Sequence, residues 1–317
     1  MKLHPLNSIV FANPPRFIVP ALGLCNERVN ILCGDSHAGK TQVAIDLSVA
    51  ACTGTHWLGL ETHAGKVALL DYEMSTERCA AEANRMLRGR GLTSAGLDIC
   101  GFDDGPAVIG ASGWEQEFEK LADAYDLVVL DSLTGLLPGE EQNGAERMGP
   151  PLMALGRIGK QHGCCFVITH HNGKVRRTGA ASGRGSTAIY ASADTWLSLA
   201  VSNRQRKVLV EKAYLPQALH REITFEFVDI GEEDPTTRKS HALQLRATHA
   251  RKLDVQLPIS NQVLDALTDG PKFRTEVYSA VRARQDDVRR CIDGLIQNGL
   301  VRIENKKLVL AAMNVVA

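Results

Sequence analysis

The stretch NILCGDSHAGKTQVAIDL, residues 30–47, decides the fold of this chain. Its first apolar residues favour a buried strand, a short polar loop follows, and the amphipathic pattern after Thr41 favours a helix. Residues 34–41 fit G-x-x-x-x-G-K-[ST], the phosphate-binding loop, in which backbone N–H groups at a helix start favour an anion. The alternative is a tight strand-to-helix turn that uses glycine for its backbone freedom.

The motif assigns roles within this loop. Lys40 would reach the β- and γ-phosphates of a nucleotide, and the hydroxyl of Thr41 would hold Mg²⁺. We therefore predict ATP and Mg²⁺ as cofactors, with Lys40 also acting in catalysis. The predicted nucleotide-binding residues are Gly34, Asp35, Ser36, His37, Ala38, Gly39, Lys40, Thr41 and Gln42.

Composition excludes some classes of protein. The 317 residues are 44% hydrophobic and 23% charged, which is ordinary for a globular protein. No apolar run approaches the ~20 residues of a membrane span, and the first 20 residues lack a signal-peptide pattern. We therefore predict no membrane contact. The eight cysteines include no C-x-x-C pair, and we predict that they are reduced, mostly buried thiols in a cytoplasmic protein. Lys+Arg and Asp+Glu both total 36, so the net charge gives no information about the kind of partner.

Strand and helix patterns alternate through the first two thirds of the chain. The strand patterns are near-continuous apolar runs, which are typical of a parallel sheet covered on both faces. Predicted strands cover residues 29–33, 66–72, 98–102, 126–131 and 164–170, and predicted helices cover 40–52, 75–88, 114–124 and 151–162.

Four more strand patterns follow, with no helical pattern between them. They cover residues 194–201, 206–213, 222–230 and 242–248. We predict that they extend the same sheet in antiparallel fashion. Residues 138–149 and the glycine-rich, basic residues 171–186 are predicted loops.

The pattern changes near residue 257. Residues 260–313 have the order helix, helix, helix, hairpin, which resembles a winged helix-turn-helix with Arg284, Gln285 and Arg289 near the start of the recognition helix. Its excess of basic over acidic residues favours phosphate contact, while the alternative is a small oligomerisation or scaffold domain. We predict an ATPase domain over residues 1–255 and a winged helix over 256–317 that binds duplex DNA or a replication partner.

Acidic residues end two of the predicted strands. Asp131 follows four apolar residues, and the carboxyl end of a parallel sheet is where ligands bind, so Asp131 is the predicted second Mg²⁺ residue. Asp71 and Glu73 share a face of another strand end. Glu73 lies further out and is the predicted water-activating carboxylate, with Asp71 as the second choice and a helix-start acid as the alternative role for Glu73.

Two histidines end a third strand, where a polar side chain could sense the γ-phosphate. His170 and His171 are neighbours, so on a strand they point to opposite faces and cannot easily chelate one ion. We predict that at least one of them contacts nucleotide or the basic loop that follows.

This order of motifs, followed by SGRGSTAIYASADTWLSL, resembles the RecA-type ATPases of the RepA hexameric helicase group, which serve plasmid and prophage replication. The resemblance covers roughly residues 5–230. It implies a RecA-like core with a mostly parallel twisted sheet flanked by helices. It also implies that Glu73 activates water and that Arg184 acts as an arginine finger in the neighbouring subunit's nucleotide site.

The resemblance also implies that Lys212 faces that shared site. Many relatives carry a second cation two residues later, where this chain has Tyr214. The family's DNA-binding loops match residues 135–149 and 172–183. The cations of the second loop that could contact phosphates are Lys174, Arg176 and Arg177.

These observations predict a ring-forming, Mg²⁺-dependent ATPase, a hexamer with nucleotide sites between subunits, that moves on single-stranded DNA in its pore. Two alternatives remain open on the sequence. One is an ATP-switched DNA-binding regulatory or adaptor protein without unwinding activity, and the other is a recombination mediator that forms filaments. A ring and a filament use the same head-to-tail contact.

Overall fold

The computed structural model describes residues 5, 14–138, 145–171, 187–202, 205–214, 220–234, 238–252, 259–268, 270–281, 283–298 and 300–310. The chain divides into two compact units, Met1–Leu253 and Asp254–Ala317.

In the described part of the first unit there are a small sheet, a large sheet and six α-helices. The small sheet pairs β1 (Phe17–Val19) with β2 (Leu24–Cys25). The strands of the large sheet are β3 (Val29–Gly34), β4 (Val67–Asp71), β5 (Leu97–Cys100), β6 (Leu127–Asp131), β7 (Cys165–His171), β8 (Ala193–Ser202), β9 (Gln205–Lys212), β10 (His220–Glu233) and β11 (Ser240–Lys252). The helices are α1 (Lys40–Thr53), α2 (Thr76–Gly89), α3 (Trp114–Ala124), α4 (Leu133–Leu136), α5 (Ala145–His162) and α6 (Thr187–Ser192).

The large sheet forms the centre of this unit, with its nine strands in the order β11-β10-β9-β8-β3-β7-β6-β4-β5. Strands β3 to β8 run parallel, and β9 to β11 continue the sheet in antiparallel pairs. The predicted α/β class with a mostly parallel sheet flanked by helices is therefore confirmed.

Successive side chains of a strand point to opposite faces of the sheet, so a separate hydrophobic core lies on each face. Leu69 of β4 packs with α1 and α2 in one core, and its neighbour Leu70 packs with α3 and α5 in the other. Both faces of these strands are therefore buried, which is why their sequences are apolar without a break. With both faces covered, ligands have access at the carboxyl edge of the sheet.

One predicted loop is partly wrong. The glycine-containing residues 138–149 are predicted to be a loop that ends before a helix over 151–162, yet α5 begins at Ala145 and runs through Pro150 and Pro151. Each proline removes one backbone donor. The apolar side chains of Met148, Leu152 and Leu155 are buried in the core against the sheet, and this packing outweighs the lost hydrogen bonds.

The β10–β11 hairpin is tied to α2 by charged groups. Arg85 Nε donates to the carbonyl of Ser240 (2.8 Å), and Arg85 also pairs with Glu82 (2.8 Å) and Asp229 (3.1 Å). Lys239 contacts the buried carboxylate of Glu82. These contacts hold the hairpin beside the carboxyl edge of the sheet.

Among the described residues of the second unit, three helices are followed by a hairpin. Val277, Val288, Ile292 and Leu308 are buried in a core of its own. This order of elements is the one that the sequence pattern predicts, and the winged-helix assignment stays a prediction. The elements are α7 (Ile259–Ala266), α8 (Arg274–Ala280), α9 (Gln285–Gln297), β12 (Val301–Glu304) and β13 (Lys307–Leu310).

Within the described ranges, no helix combines the length and apolar character that a membrane crossing requires. All eight cysteines lie in the described ranges, where they are free thiols, five of them buried.

Candidate functional site

The loop between β3 and α1 bends through two left-handed residues, His37 (φ 61°) and Gly39 (φ 98°). Such a bend directs successive N–H groups toward one point and makes an anion-binding concavity. The helix α1 begins at Lys40, and Gly39 provides no side-chain cap for it. A bound phosphate is suited to satisfy the first N–H groups of α1.

Gly39 is also required by a close approach. A Cβ at this position would lie 2.9 Å from a ring carbon of Phe227 in β10, closer than van der Waals contact allows. Only glycine combines the positive φ with this lack of space. The β10–β11 hairpin therefore lies directly against the phosphate loop.

The ammonium of Lys40 is held inside the loop. Its Nζ donates to the carbonyls of Gly34 (3.2 Å) and Asp35 (3.0 Å) and lies 3.1 Å from Nδ1 of His171. Burial lowers the pKa of Lys40, while nearby carboxylates, Asp131 first, oppose that shift. The charge is thus placed where phosphate oxygens would meet it.

Asp131 ends β6 with its side chain buried. The Thr169 hydroxyl donates to Oδ1, whereas Oδ2 is buried with no hydrogen-bond partner in the described part of the chain. Burial raises the pKa of this carboxyl, and the neighbouring hydroxyls of Thr169 and Thr41 oppose that rise. A buried carboxylate oxygen of this kind, next to the Thr41 hydroxyl, is a donor set that fits Mg²⁺.

The side chains of Glu73 and Asp71 differ in their exposure and in their hydrogen bonds. The Asp71 side chain is 1% exposed, and its Oδ1 accepts the backbone N–H groups of Glu73 (2.8 Å) and Met74 (2.7 Å). Burial and the nearby Asp131 charge raise its pKa to about 6. The Glu73 side chain is 58% exposed, and its Oε1 accepts the Ser132 hydroxyl at 2.8 Å. Glu73 is therefore the carboxylate that opens into the cavity.

The two histidines of β7 have different surroundings. His171 pairs with Gly34 in the sheet, and its Nε2 lies 3.9 Å from Oε1 of Glu73. Its imidazole thus lies between Lys40 and Glu73. His170 is fully buried on the opposite face of the strand.

Lys212 lies far from the phosphate loop of its own chain. In the sheet, Gly34 pairs with Leu199 and Leu199 pairs with Val208, so Lys212 is four residues, about 13 Å, further along β9. Its Nζ donates to the carbonyl of Tyr190 (3.0 Å) and to that of Ala193, and burial lowers its pKa. Arg184 lies outside the described residues, as do Lys174, Arg176 and Arg177.

A cavity of about 960 Å³ is lined by Lys40, Thr41, Glu73, Asp131 and His171, and the β10–β11 hairpin forms its other wall. Sequence reasoning missed this wall. Arg206 of β9 donates from Nε to the carbonyl of Ala38 (3.1 Å), and its guanidinium lies 4.1 Å from the Phe227 ring centroid. Arg206 is a cation at the start of a predicted strand, and that position was the available signal in the sequence. Phe227 has no such signal, because β10 reaches the phosphate loop only through the order of the strands in the sheet.

Comparisons with known proteins bear on the family of the chain. No curated protein matches the sequence. Among solved structures, one described as an ATPase domain matches with a TM-score of 0.47 and 13% identity, over 64% of this chain and 82% of that one. The family model described as AAA domain matches residues 12–177, just over half of the chain. The match includes the phosphate loop, Glu73, Asp131 and both histidines, and the chain belongs to this AAA domain family.

Proposed function

We propose that the chain is a Mg²⁺-dependent ATPase that forms a ring, a hexamer, and moves on single-stranded DNA as a helicase. One observation carries the nucleotide part of this proposal. The Lys40 ammonium, the buried carboxylate of Asp131 and the exposed carboxylate of Glu73 line one cavity at the carboxyl edge of the sheet. Membership of the AAA domain family supports the same conclusion.

In the proposed ATP hydrolysis, each of the residues around the cavity has a distinct role. Lys40 and the backbone of the loop hold the β- and γ-phosphates, and Thr41 and Asp131 would hold Mg²⁺, which supplies charge neutralisation on the phosphate oxygens. Glu73, oriented by the Ser132 hydroxyl, accepts the proton of the attacking water. His171 connects Lys40 to Glu73 and is suited to respond to the γ-phosphate.

In a ring, a neighbouring subunit would supply a further cation to each nucleotide site. A cation inserted by a neighbouring subunit increases phosphoryl-transfer rates by ~10³–10⁵. We assign this role to Arg184, with Lys212 as a second contributor. The position of Lys212, about 13 Å from the level of its own phosphate loop, suits a residue that serves another copy's site.

We assign DNA contact to two loops of the first unit and, separately, to the second unit. Of the predicted DNA-binding loops 135–149 and 172–183, the parts that would face single-stranded DNA in the pore are residues 139–144 and residues 172–183 with Lys174, Arg176 and Arg177, because Leu136, Leu137 and Met148 are buried in the core. The second unit, with Arg284, Gln285 and Arg289 at the start of α9, would bind duplex DNA or a replication partner. Replication of a plasmid or other mobile element is the setting that best fits a motor with its own recruiting unit.

An unwinding assay tests the motor function. The full-length chain should separate a labelled forked duplex when ATP and Mg²⁺ are present, and Lys40→Ala should not. The ATPase rate should rise when circular single-stranded DNA is added. ATP turnover without strand separation would reject the helicase and favour the ATP-switched regulator or the recombination mediator.

A further inference from the structure

The cavity is larger than a triphosphate needs. Its volume of about 960 Å³ is at the upper end of the range of ~300–1,000 Å³ for small-molecule pockets. The phosphate loop, Asp131 and Glu73 form one wall. The opposite wall comes from the start of β9 and the inner face of the β10–β11 hairpin, and the proposed hydrolysis does not use it.

Alternation along β10 determines what this wall presents. Phe225, Phe227 and Asp229 share one face of the strand, and their partners across the hairpin are Ala247, Leu245 and Leu243. Phe225 and Leu245 are buried in the core, whereas Phe227 is half-buried and lines the cavity together with Asp229. The wall is therefore apolar near the phosphate loop and polar further away from it.

Arg206 and Phe227 form a cation–π pair at the point where the wall meets the loop. The guanidinium lies 4.1 Å from the ring centroid, and its Nε is fixed by the carbonyl of Ala38 (3.1 Å). The Phe227 ring is fixed in turn by an edge contact with Phe225, with centroids 5.8 Å apart. Two planar groups are thus held beside the phosphate loop with little freedom to move.

We propose that the Arg206–Phe227 pair is the subsite for the base of a nucleoside triphosphate. The inference rests on the proposed ATPase function and assigns the nucleoside part of the same site. An aromatic ring and a guanidinium plane are the groups on which bases stack. The triphosphate lies in the loop, and the base packs against the pair that the hairpin presents.

Binding of two probes, ATP and inorganic tripolyphosphate, to the full-length chain separates the base from the phosphates. Calorimetry with Mg²⁺ measures both. Phe227→Ala should weaken ATP binding at least ~5-fold, the lower limit for one stacked base, and leave tripolyphosphate within about 2-fold. Phe227→Leu, which keeps most of the apolar volume but lacks the ring, should preserve the fold and also weaken only ATP.

Two controls define the outcomes. Ile230→Ala changes an exposed residue on the outer face of the same strand and should change neither affinity. Lys40→Ala should weaken both probes. Equal losses of ATP and tripolyphosphate in both Phe227 variants, or no loss in either, would overturn the base subsite and leave the ATPase proposal intact. A wild-type chain that binds neither probe would overturn the ATPase proposal itself.

Discussion

The ammonium nitrogen of Lys40 lies 3.1 Å from Nδ1 of His171. An ammonium can only donate, so Nδ1 accepts and the imidazole proton is on Nε2, which faces Glu73 at 3.9 Å. The end of β7 therefore connects the residue that would hold the γ-phosphate to the residue that would activate water. Neither Lys40 nor Glu73 is near His171 in the sequence, and only the parallel order of β3, β7, β6 and β4 brings them together.

His171→Ala should lower ATP turnover roughly 10-fold or more, because removing one oriented polar group from such a site costs at least that much. ATP affinity should change little, since Lys40 keeps its contacts with the carbonyls of Gly34 and Asp35. His171→Asn, whose amide can still accept and donate, should retain more activity than the alanine variant. Steady-state kinetics provide the check, and equal turnover in both variants would contradict the connecting role.

The carboxylates of Asp71, the last residue of β4, and of Glu73, two residues later, should respond differently to amide substitution. Glu73→Gln should still bind ATP but hydrolyse it ~10²–10⁴-fold more slowly. Asp71→Asn should keep turnover within about 10-fold, because its amide oxygen can still accept the N–H groups of Glu73 and Met74. Single-turnover phosphate release measures both, and a larger loss in Asp71→Asn would show that Asp71 is the base.

Local pattern was sufficient to predict most of the nucleotide edge. The phosphate loop, Asp131 and the apolar strands depend on residues that are close in sequence, so spacing and alternation locate them. The distinction between Asp71 and Glu73 is harder, because both lie on one face of the strand end. It depends on two backbone N–H groups that fold back onto Asp71.

The features that the sequence did not indicate depend on contacts between residues that are distant in the chain. Arg206 and Phe227 reach the loop only because β8, β9 and β10 extend the sheet in register. The start of α5 at Ala145 was also missed, since the glycines of residues 138–149 favour a loop locally and the packing that extends the helix involves distant strands.

A buried ion pair predicts a pH dependence of stability. Asp46 is 0% exposed and lies 2.7 Å from Arg90, and burial raises its pKa to about 6, beyond what Arg90 offsets. In the unfolded chain an aspartate titrates near ~3.9, so between about pH 4 and 6 the folded chain holds a proton that the unfolded chain has lost. The free energy of unfolding should therefore fall as pH rises through this window, by up to roughly 3 kcal/mol.

Asp46→Asn should reduce this slope between pH 4 and 6, while the raised pKa of Asp71 retains a part of it. Urea unfolding at several pH values measures it, with Glu61→Gln, an exposed loop substitution, as the matched control. A slope in Asp46→Asn that is as steep as in the wild type would show that this pair does not set the dependence.

Mixing experiments test whether the site is shared between subunits. Arg184→Ala and Lys40→Ala should each be inactive alone, yet mixtures should regain some ATPase activity, because one type supplies an intact pocket and the other an intact cation. Turnover is measured against mixing ratio at fixed total protein, with mixed assembly verified by labelled subunits. Activity that never exceeds that of the parents would place Arg184 in a local role within its own chain.

The most direct test of the central claim is phosphate release by the full-length chain with ATP, Mg²⁺ and single-stranded DNA. The wild type should hydrolyse ATP in a Mg²⁺-dependent manner. Lys40→Ala should lose at least ~100-fold of this turnover while its circular dichroism spectrum stays unchanged, since the cation that meets the phosphates is gone. Equal turnover in the two proteins, or none in the wild type, would contradict the assignment of this edge of the sheet as an ATP-hydrolysing site.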